Sequence, residues 1–302
     1  MLISLAVLGL AVFGLLSLAS PPALAAEDGV RVVTHAVGQT EITGTPERIV
    51  ALEFSFVDAL ASLHVTPVGI ADDGDAERII PQIRSQIGTW TSVGTRAQPN
   101  LEIISALKPD HIIADLERHK GIYDSLQRIA PTIVLPSLQA TYEDNLEAML
   151  IIGEALNRKD AVQARLDQHH AKMEALADRT PQNEQRKILA AVVWDKGFNA
   201  HTSSAYTLGV LEVVGMSSAI QSSTPYANLN LEQLVQINPD VMFLMTSGEN
   251  TLADQWASNP LWKAISAVRN GDVYEVDRNL WSRFRGIISA ELIAEEAVNL
   301  LY

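Results

Sequence analysis

Four arginines fall where open α/β folds bind ligands. Arg96 comes just after the strand-like Ser92-Val-Gly94, Arg118 just after the run Asp110 to Ala114, and Arg283 and Arg285 after Val273 to Val276. The crevice outside the carboxyl ends of parallel strands is the usual binding place in such sheets. A guanidinium is planar and permanently charged, and its paired N–H donors match a carboxylate. Four such forks converging from two sides would suit a ligand with several carboxylates. One arginine alone is more often a solvated charge or an ion-pair partner. Arg283 and Arg285 stand apart because they share the loop Trp281-Ser-Arg-Phe-Arg-Gly286 with an indole and a terminal glycine.

Aromatic rings form a second group. Trp194 and Phe198 flank Asp195-Lys196-Gly197, and Tyr226 and Trp281 also fall in loop-like segments. Rings so placed either wall a pocket or pack in a core. The histidines make poor metal ligands: His169 and His170 are adjacent, so on a helix they face different ways, and His35, His64, His111 and His201 are isolated. Asp72-Asp73-Gly-Asp75 lacks the spacing and distal glutamate of a calcium loop and reads as a solvated turn. No Walker A, H-E-x-x-H or nucleophile-elbow pattern occurs. The chain contains no cysteine, which excludes thiolate metal sites, thiol catalysis and disulfides.

These residues must be held by a scaffold, and the sequence states its plan twice. Asn100-Leu-Glu102 opens a run that ends Lys108-Pro-Asp-His-Ile-Ile-Ala114, and Asn230-Leu-Glu232 opens one that ends Asn238-Pro-Asp-Val-Met-Phe-Leu244. Each reads as N-cap, acidic first turn, short amphipathic helix, proline break and buried parallel strand. Two related lobes imply a clamshell with a ligand between its halves. Glu102 and Glu232 occupy matching first turns. The helix dipole stabilises a carboxylate there, and a symmetric partner with two cationic sockets could read the pair.

The predicted fold class is α/β: two lobes with mainly parallel sheets flanked by helices, residues 26–141 and 180–302. Residues 142–179 lack proline and carry a helical apolar stripe. They predict one long helix of roughly 50 Å at ~1.5 Å per residue that joins the lobes and limits closure to a small hinge motion. Residues 1–25 read as a signal peptide, with Ala23-Leu-Ala25 as cleavage pattern and a mature start near Ala26. With no cysteine to carry a lipid, the mature protein is expected free in the periplasm. The net charge of −14 argues against nucleic acid and anionic membrane surfaces and requires any anionic ligand to find a local cationic pocket.

The segments Val93-Gly-Thr-Arg96-Ala-Gln-Pro-Asn-Leu-Glu102, Leu107-Lys-Pro-Asp-His-Ile-Ile-Ala-Asp115 and Trp281-Ser-Arg-Phe-Arg-Gly286 resemble the iron-siderophore periplasmic binding proteins of class III ABC importers. Arg48-Ile-Val-Ala-Leu-Glu-Phe-Ser-Phe-Val-Asp-Ala-Leu60 and Gly69-Ile-Ala-Asp-Asp73 extend the resemblance toward the ferric dicitrate-binding branch. The resemblance implies a non-enzymatic role: capture of iron(III) dicitrate in the cleft and delivery to an inner-membrane ABC permease dimer by a monomer. It implies ligand contacts at Arg96, Arg118, Arg283, Arg285, Trp194 and Trp281, permease-docking acids at Glu102 and Glu232, no cofactor, and no protein ligand to iron, which citrate holds. Other siderophores, haem and cobalamin remain as alternative ligands, and a metalloenzyme on a similar two-lobed scaffold as an alternative class.

Overall fold

Both copies of the repeated segment fold as their residues require. The computed structural model describes residues 29–246 and 248–302, so the expected leader and its boundary near Ala26 lie outside the described residues. Asn100 caps the helix Leu101–Ala106 by accepting from the backbone N–H of Glu102 and Ile103, and Asn230 caps Leu231–Ile237 in a reciprocal box with Gln233. Each copy then reverses through a left-handed residue, Lys108 and Asn238. The aspartate of each Pro-Asp pair latches the neighbouring strand. Asp110 accepts from the N–H of Glu47 and Arg48, and Asp240 from that of Lys187.

The strands are β1 (Val30–His35), β2 (Gly38–Thr43), β3 (Ile49–Ala51), β4 (Gly69–Ile70), β5 (Thr91–Ser92), β6 (His111–Asp115), β7 (Thr132–Leu135), β8 (Lys187–Trp194), β9 (Gly197–His201), β10 (Ser217–Ser218), β11 (Tyr226–Asn228), β12 (Val241–Thr246) and β13 (Val273–Glu275). Among them β1 and β2 form an antiparallel hairpin. The first sheet has the order β5-β4-β3-β6-β7 and is wholly parallel. The second has the order β11-β9-β8-β12-β13, with β10 also paired to β8. Its β10, β8, β12 and β13 run parallel, whereas β9 and β11 form an antiparallel edge. The repeat copies occupy matching places: β6 lies beside β3, and β12 beside β8. Strands this apolar are buried on both faces, as for Ile112, Ile113, Ala114 and Met242 to Met245.

The connector departs from the expected single rod. It is two helices, Tyr142–Ala155 and Lys159–Ala177, reversed at Asn157, whose φ is +56°. Glycine at 153 lets the second helix pack closely: a Cβ there would lie 2.4 Å from Val162 Cγ2. The pair folds back as a hairpin, with Tyr142 Oη 2.5 Å from His169 Nε2. An unbroken apolar stripe does not distinguish one helix from two antiparallel ones that bury the same stripe against a shared core.

The closing helix, Ile287–Leu301, packs on both halves. Asp58, in the first-lobe helix Phe54–Ser62, accepts from the N–H of Ile288 and Ser289, and Glu291 meets His169 of the connector. One apolar cluster runs from Ile49 and Phe54 through Tyr142 and Ile152 to Tyr206 and Val298. A core continuous between lobes resists wide opening.

Candidate ligand site

Between the lobes lies a cavity of about 460 Å³, within the ~300–1,000 Å³ range of small-molecule sites. Three pieces of chain build its wall. The first lobe contributes Arg78, Arg96, Arg118, Leu138 and Gln139. One face of β8, β9 and β11 presents Val192, Trp194, Asn199, His201 and Tyr226, alternating as strand geometry demands. The turn before the closing helix supplies Arg278, Ser282, Arg283 and Arg285. That turn is π-helical over Asn279–Arg283 and then extended. Arg283 and Arg285 therefore face the cavity while Phe284, between them, is buried and stacks on Phe54 at 4.9 Å.

Six arginines around one cavity need counter-charge. Glu53, fully buried at the end of β3, accepts from Arg96 Nη1 at 2.9 Å and Arg118 Nε at 2.8 Å, and lies 3.7 Å from Arg285 Nη2. Burial pushes its carboxyl up, but the three arginines outweigh that and hold it below the usual range. Asp73 accepts from Arg78 Nη1 at 2.8 Å and from Arg96 Nε and Nη2 at 3.1 and 2.8 Å. Burial again raises it, and the Arg96 hydrogen bonds override burial and bring it down to about 2. Among the described residues Arg278 and Arg283 have no carboxylate at ion-pair distance: Arg283 donates to Asn279 Oδ1 at 2.5 Å, and Arg278 Nε is buried without a partner. Burial, then mutual repulsion with Arg278, Arg78 and Arg96, lowers Arg283 to about 10, so it stays charged near neutrality. Arg285 is 4% exposed, and its Nε and Nη2 also lack hydrogen-bond partners among the described residues. The site holds an excess of positive charge with hydrogen-bond donors to spare, an electrostatic setting that favours an anion.

His201 adds a different group. Thr207 spends its one hydroxyl proton on the carbonyl of Trp281 at 2.7 Å, so its oxygen accepts from His201 Nδ1, 3.1 Å away. Burial, then Arg285, lowers His201 to about 3, so the ring is neutral at physiological pH. Its Nε2 is then an acceptor in a wall made largely of donors.

The residues expected to bind ligand divide. Arg118, Arg283, Arg285 and Trp194 line the cavity with unsatisfied or exposed groups. The indole of Trp194 folds across the β8–β9 turn, into space that a Cβ at Gly197 would occupy at 2.0 Å. Arg96 lines the cavity too, yet each of its three side-chain nitrogens already donates to a carboxylate, and it lies 4.1 Å over the Phe54 ring. Trp281 does not reach the cavity. It is fully buried against Phe243 at 4.7 Å and donates to Glu296 Oε2, because the π-turn aims Ser282 and Arg283 outward and the indole inward. Phe198 is likewise core. The expectation of a solvated turn at Asp72–Asp75 is also corrected: Asp73 anchors two cavity arginines, and Asp72 accepts from Trp90 Nε1 and Ser92. Glu102 and Glu232 are exposed in the first turns of their capped helices. Among the described residues, no group of three or more His, Asp or Glu is placed to hold a metal ion.

A family model described as "Periplasmic binding protein" matches residues 49–280. The chain belongs to that family. It is 44% identical over 272 residues to the Fe(3+)-citrate-binding protein YfmC of Bacillus subtilis, covering 90% of this chain and 86% of the relative. It is 41% identical over 280 residues to the Fe(3+) dicitrate-binding periplasmic protein FecB of Escherichia coli, covering 90% and 93%. The fold matches that of Staphylococcus aureus SirA complexed with staphyloferrin B, with a TM-score of 0.79 at 24% identity over 90% of this chain and 98% of that one. Membership makes this a binding protein of a transport system, not an enzyme.

Sequence reasoning missed Glu53, Arg78, Arg278, Asn199 and the cavity-facing place of His201. Glu53 carried a readable signal: an acid directly after a buried strand, at the start of a helix with no other polar cap.

Proposed function

We propose that this periplasmic binding protein captures iron(III) dicitrate, an anionic iron carboxylate chelate, between its lobes and delivers it to an inner-membrane ABC permease dimer. The observation that carries the reading is the cavity itself: six arginines, two of them without carboxylate partners among the described residues, around about 460 Å³. A neutral siderophore or a large macrocycle gains little from so many fixed positive charges, whereas the outer carboxylates of a citrate chelate can pair with guanidinium forks. The names of the two relatives at 44% and 41% identity point to the same cargo. In this reading iron stays in its citrate oxygen cage, and the protein grips the cage through Arg118, Arg283 and Arg285, with Trp194 as an apolar wall. The protein acts as a monomer in the periplasm after loss of its leader, and Glu102 and Glu232 dock the two permease subunits.

Titration with iron(III) citrate, followed by quenching of tryptophan fluorescence, tests the cargo against an iron(III) hydroxamate and haem. Saturable quenching by iron(III) citrate alone is expected. Tighter binding of the hydroxamate or haem would overturn the assignment.

A further inference from the structure

Glu53 is an anion at the centre of a site read above as anion-binding, and charge alone would make it harmful there. We infer that Glu53 is a positioning residue for the ligand-gripping arginines, an internal carboxylate that fixes their guanidinium planes before ligand arrives. The inference rests on the proposed capture of a carboxylate chelate and says how the protein prepares for it.

The geometry is specific. Glu53 Oε1 accepts from Arg96 Nη1 at 2.9 Å and from the Phe54 N–H at 3.2 Å, and lies 3.7 Å from Arg285 Nη2; Oε2 accepts from Arg118 Nε at 2.8 Å. Both oxygens are engaged, and the side chain is fully buried. Its partners come from three separate places: the turn after β5, the helix Leu116–His119, and the segment leading to the closing helix. A long arginine side chain loses much rotamer freedom when it binds ligand. Ordering it beforehand removes that cost from the binding step. Arg118 spends its Nε on Glu53 and keeps its two terminal nitrogens for the cavity. Arg285 reaches Glu53 only by the long contact and donates Nη1 to the Ser282 carbonyl at 2.8 Å, and among the described residues its Nε and Nη2 have no hydrogen-bond partner. Arg96 has every nitrogen committed and acts as the fixed strut of the cluster. His119 reinforces this strut: its Nδ1 accepts from the Asp115 N–H, so Nε2 donates to the Arg96 carbonyl at 2.7 Å.

The sign of one substitution separates positioning from charge. Glu53→Gln keeps the shape and makes the pocket one unit more positive. If Glu53 acts only through its charge, iron(III) citrate binds the variant more tightly. If it positions, binding weakens about tenfold or more despite the added attraction. Unchanged or tighter binding overturns the inference. Should Glu53→Gln fail to fold, Glu53→Asp keeps the charge but shortens the reach and is expected to weaken binding in the same direction; wild-type affinity in it overturns the inference. A ligand-independent readout keeps this test apart from the identity of the cargo. In nitrogen-15 spectra the Arg118 Nε–H of the empty wild-type protein is expected to exchange slowly with solvent, and that of Glu53→Gln to exchange fast. Equal exchange in both proteins overturns the positioning role even if the wild type never binds iron(III) citrate.

Discussion

Asp58 and Ser289 bind the first lobe to the closing helix: Asp58 Oδ2 accepts the Ser289 N–H at 2.9 Å, while its Oδ1 takes that of Ile288 at the same distance. The carboxylate thus caps a helix N-terminus from another lobe. The turn it pins carries Arg283 and Arg285. Gly286 is part of the fit, since a Cβ there would fall 2.3 Å from Asp58 Cγ. Asp58→Ala leaves two buried N–H donors without acceptors and is expected to lower stability by about 3 kcal/mol in urea unfolding. Gly286→Ala is expected to act on the same contact. The two changes combined should therefore cost clearly less than their sum, and strict additivity would show that they disturb separate structures.

Acid stability follows Asp73. Its carboxyl titrates at about 2 in the folded protein against an ordinary 3.8, because the Arg96 and Arg78 bonds outweigh the effect of burial. A depressed folded value means that the ionised form stabilises the fold. That contribution, of the order of 2 kcal/mol, is complete above about pH 4 and fades as the pH falls toward 2. Thermal melts of wild type and Asp73→Asn should therefore differ most at neutral pH and converge near pH 2. A constant difference across that range would mean that Asp73 does not titrate as its partners dictate.

What the sequence showed of this fold was its local grammar. The two Asn caps, the Pro-Asp breaks and the apolar strands β6 and β12 depend on neighbours within a few residues, and they appear where expected. Arginines after strand ends were legible for the same reason. Pairings across the chain were not. Nothing local to Glu53 says that it will meet Arg285, 232 positions away, and nothing local to Trp281 says that its ring turns toward Phe243. The antiparallel edge of β9 and β11 was missed because short strands bearing His201, Tyr226 and Asn228 lack the apolar runs that mark the parallel strands. Asn157 was a visible turn-former, but an unbroken apolar stripe on both sides hid the reversal.

Arginines that look alike in sequence should differ in effect. Arg283 donates only to Asn279 among the described residues, so Arg283→Gln removes a group free to meet ligand. Loss of one charge-assisted hydrogen bond, about 1.5–3 kcal/mol, weakens iron(III) citrate binding by roughly ten- to a hundredfold and leaves the melting temperature almost unchanged. Arg96→Gln instead removes the partner that Glu53 and Asp73 share, leaving them Arg118 and Arg78, and is expected to lower the melting temperature of the empty protein. Calorimetric titration beside thermal melts separates the two outcomes. An Arg96 variant with normal stability and lost affinity would return Arg96 to the ligand-contact set.

The proposed docking would rest on charge at two matching helix starts. Glu102 and Glu232 are both exposed, and each follows its capping asparagine by two residues in the first turn. No ion pair within the described residues occupies either one. Carboxylates left free on pseudo-symmetric lobes suit a two-fold partner carrying a cationic socket on each subunit. Both lie away from the cavity wall, so changing them should not disturb ligand binding. The double variant Glu102→Ala, Glu232→Ala is therefore expected to bind iron(III) citrate with wild-type affinity in solution and to fail in uptake of radiolabelled iron by cells that depend on this protein. Each single variant should retain part of the uptake, because one socket would still be filled. Full uptake by the double variant would place the permease contact elsewhere on the lobes.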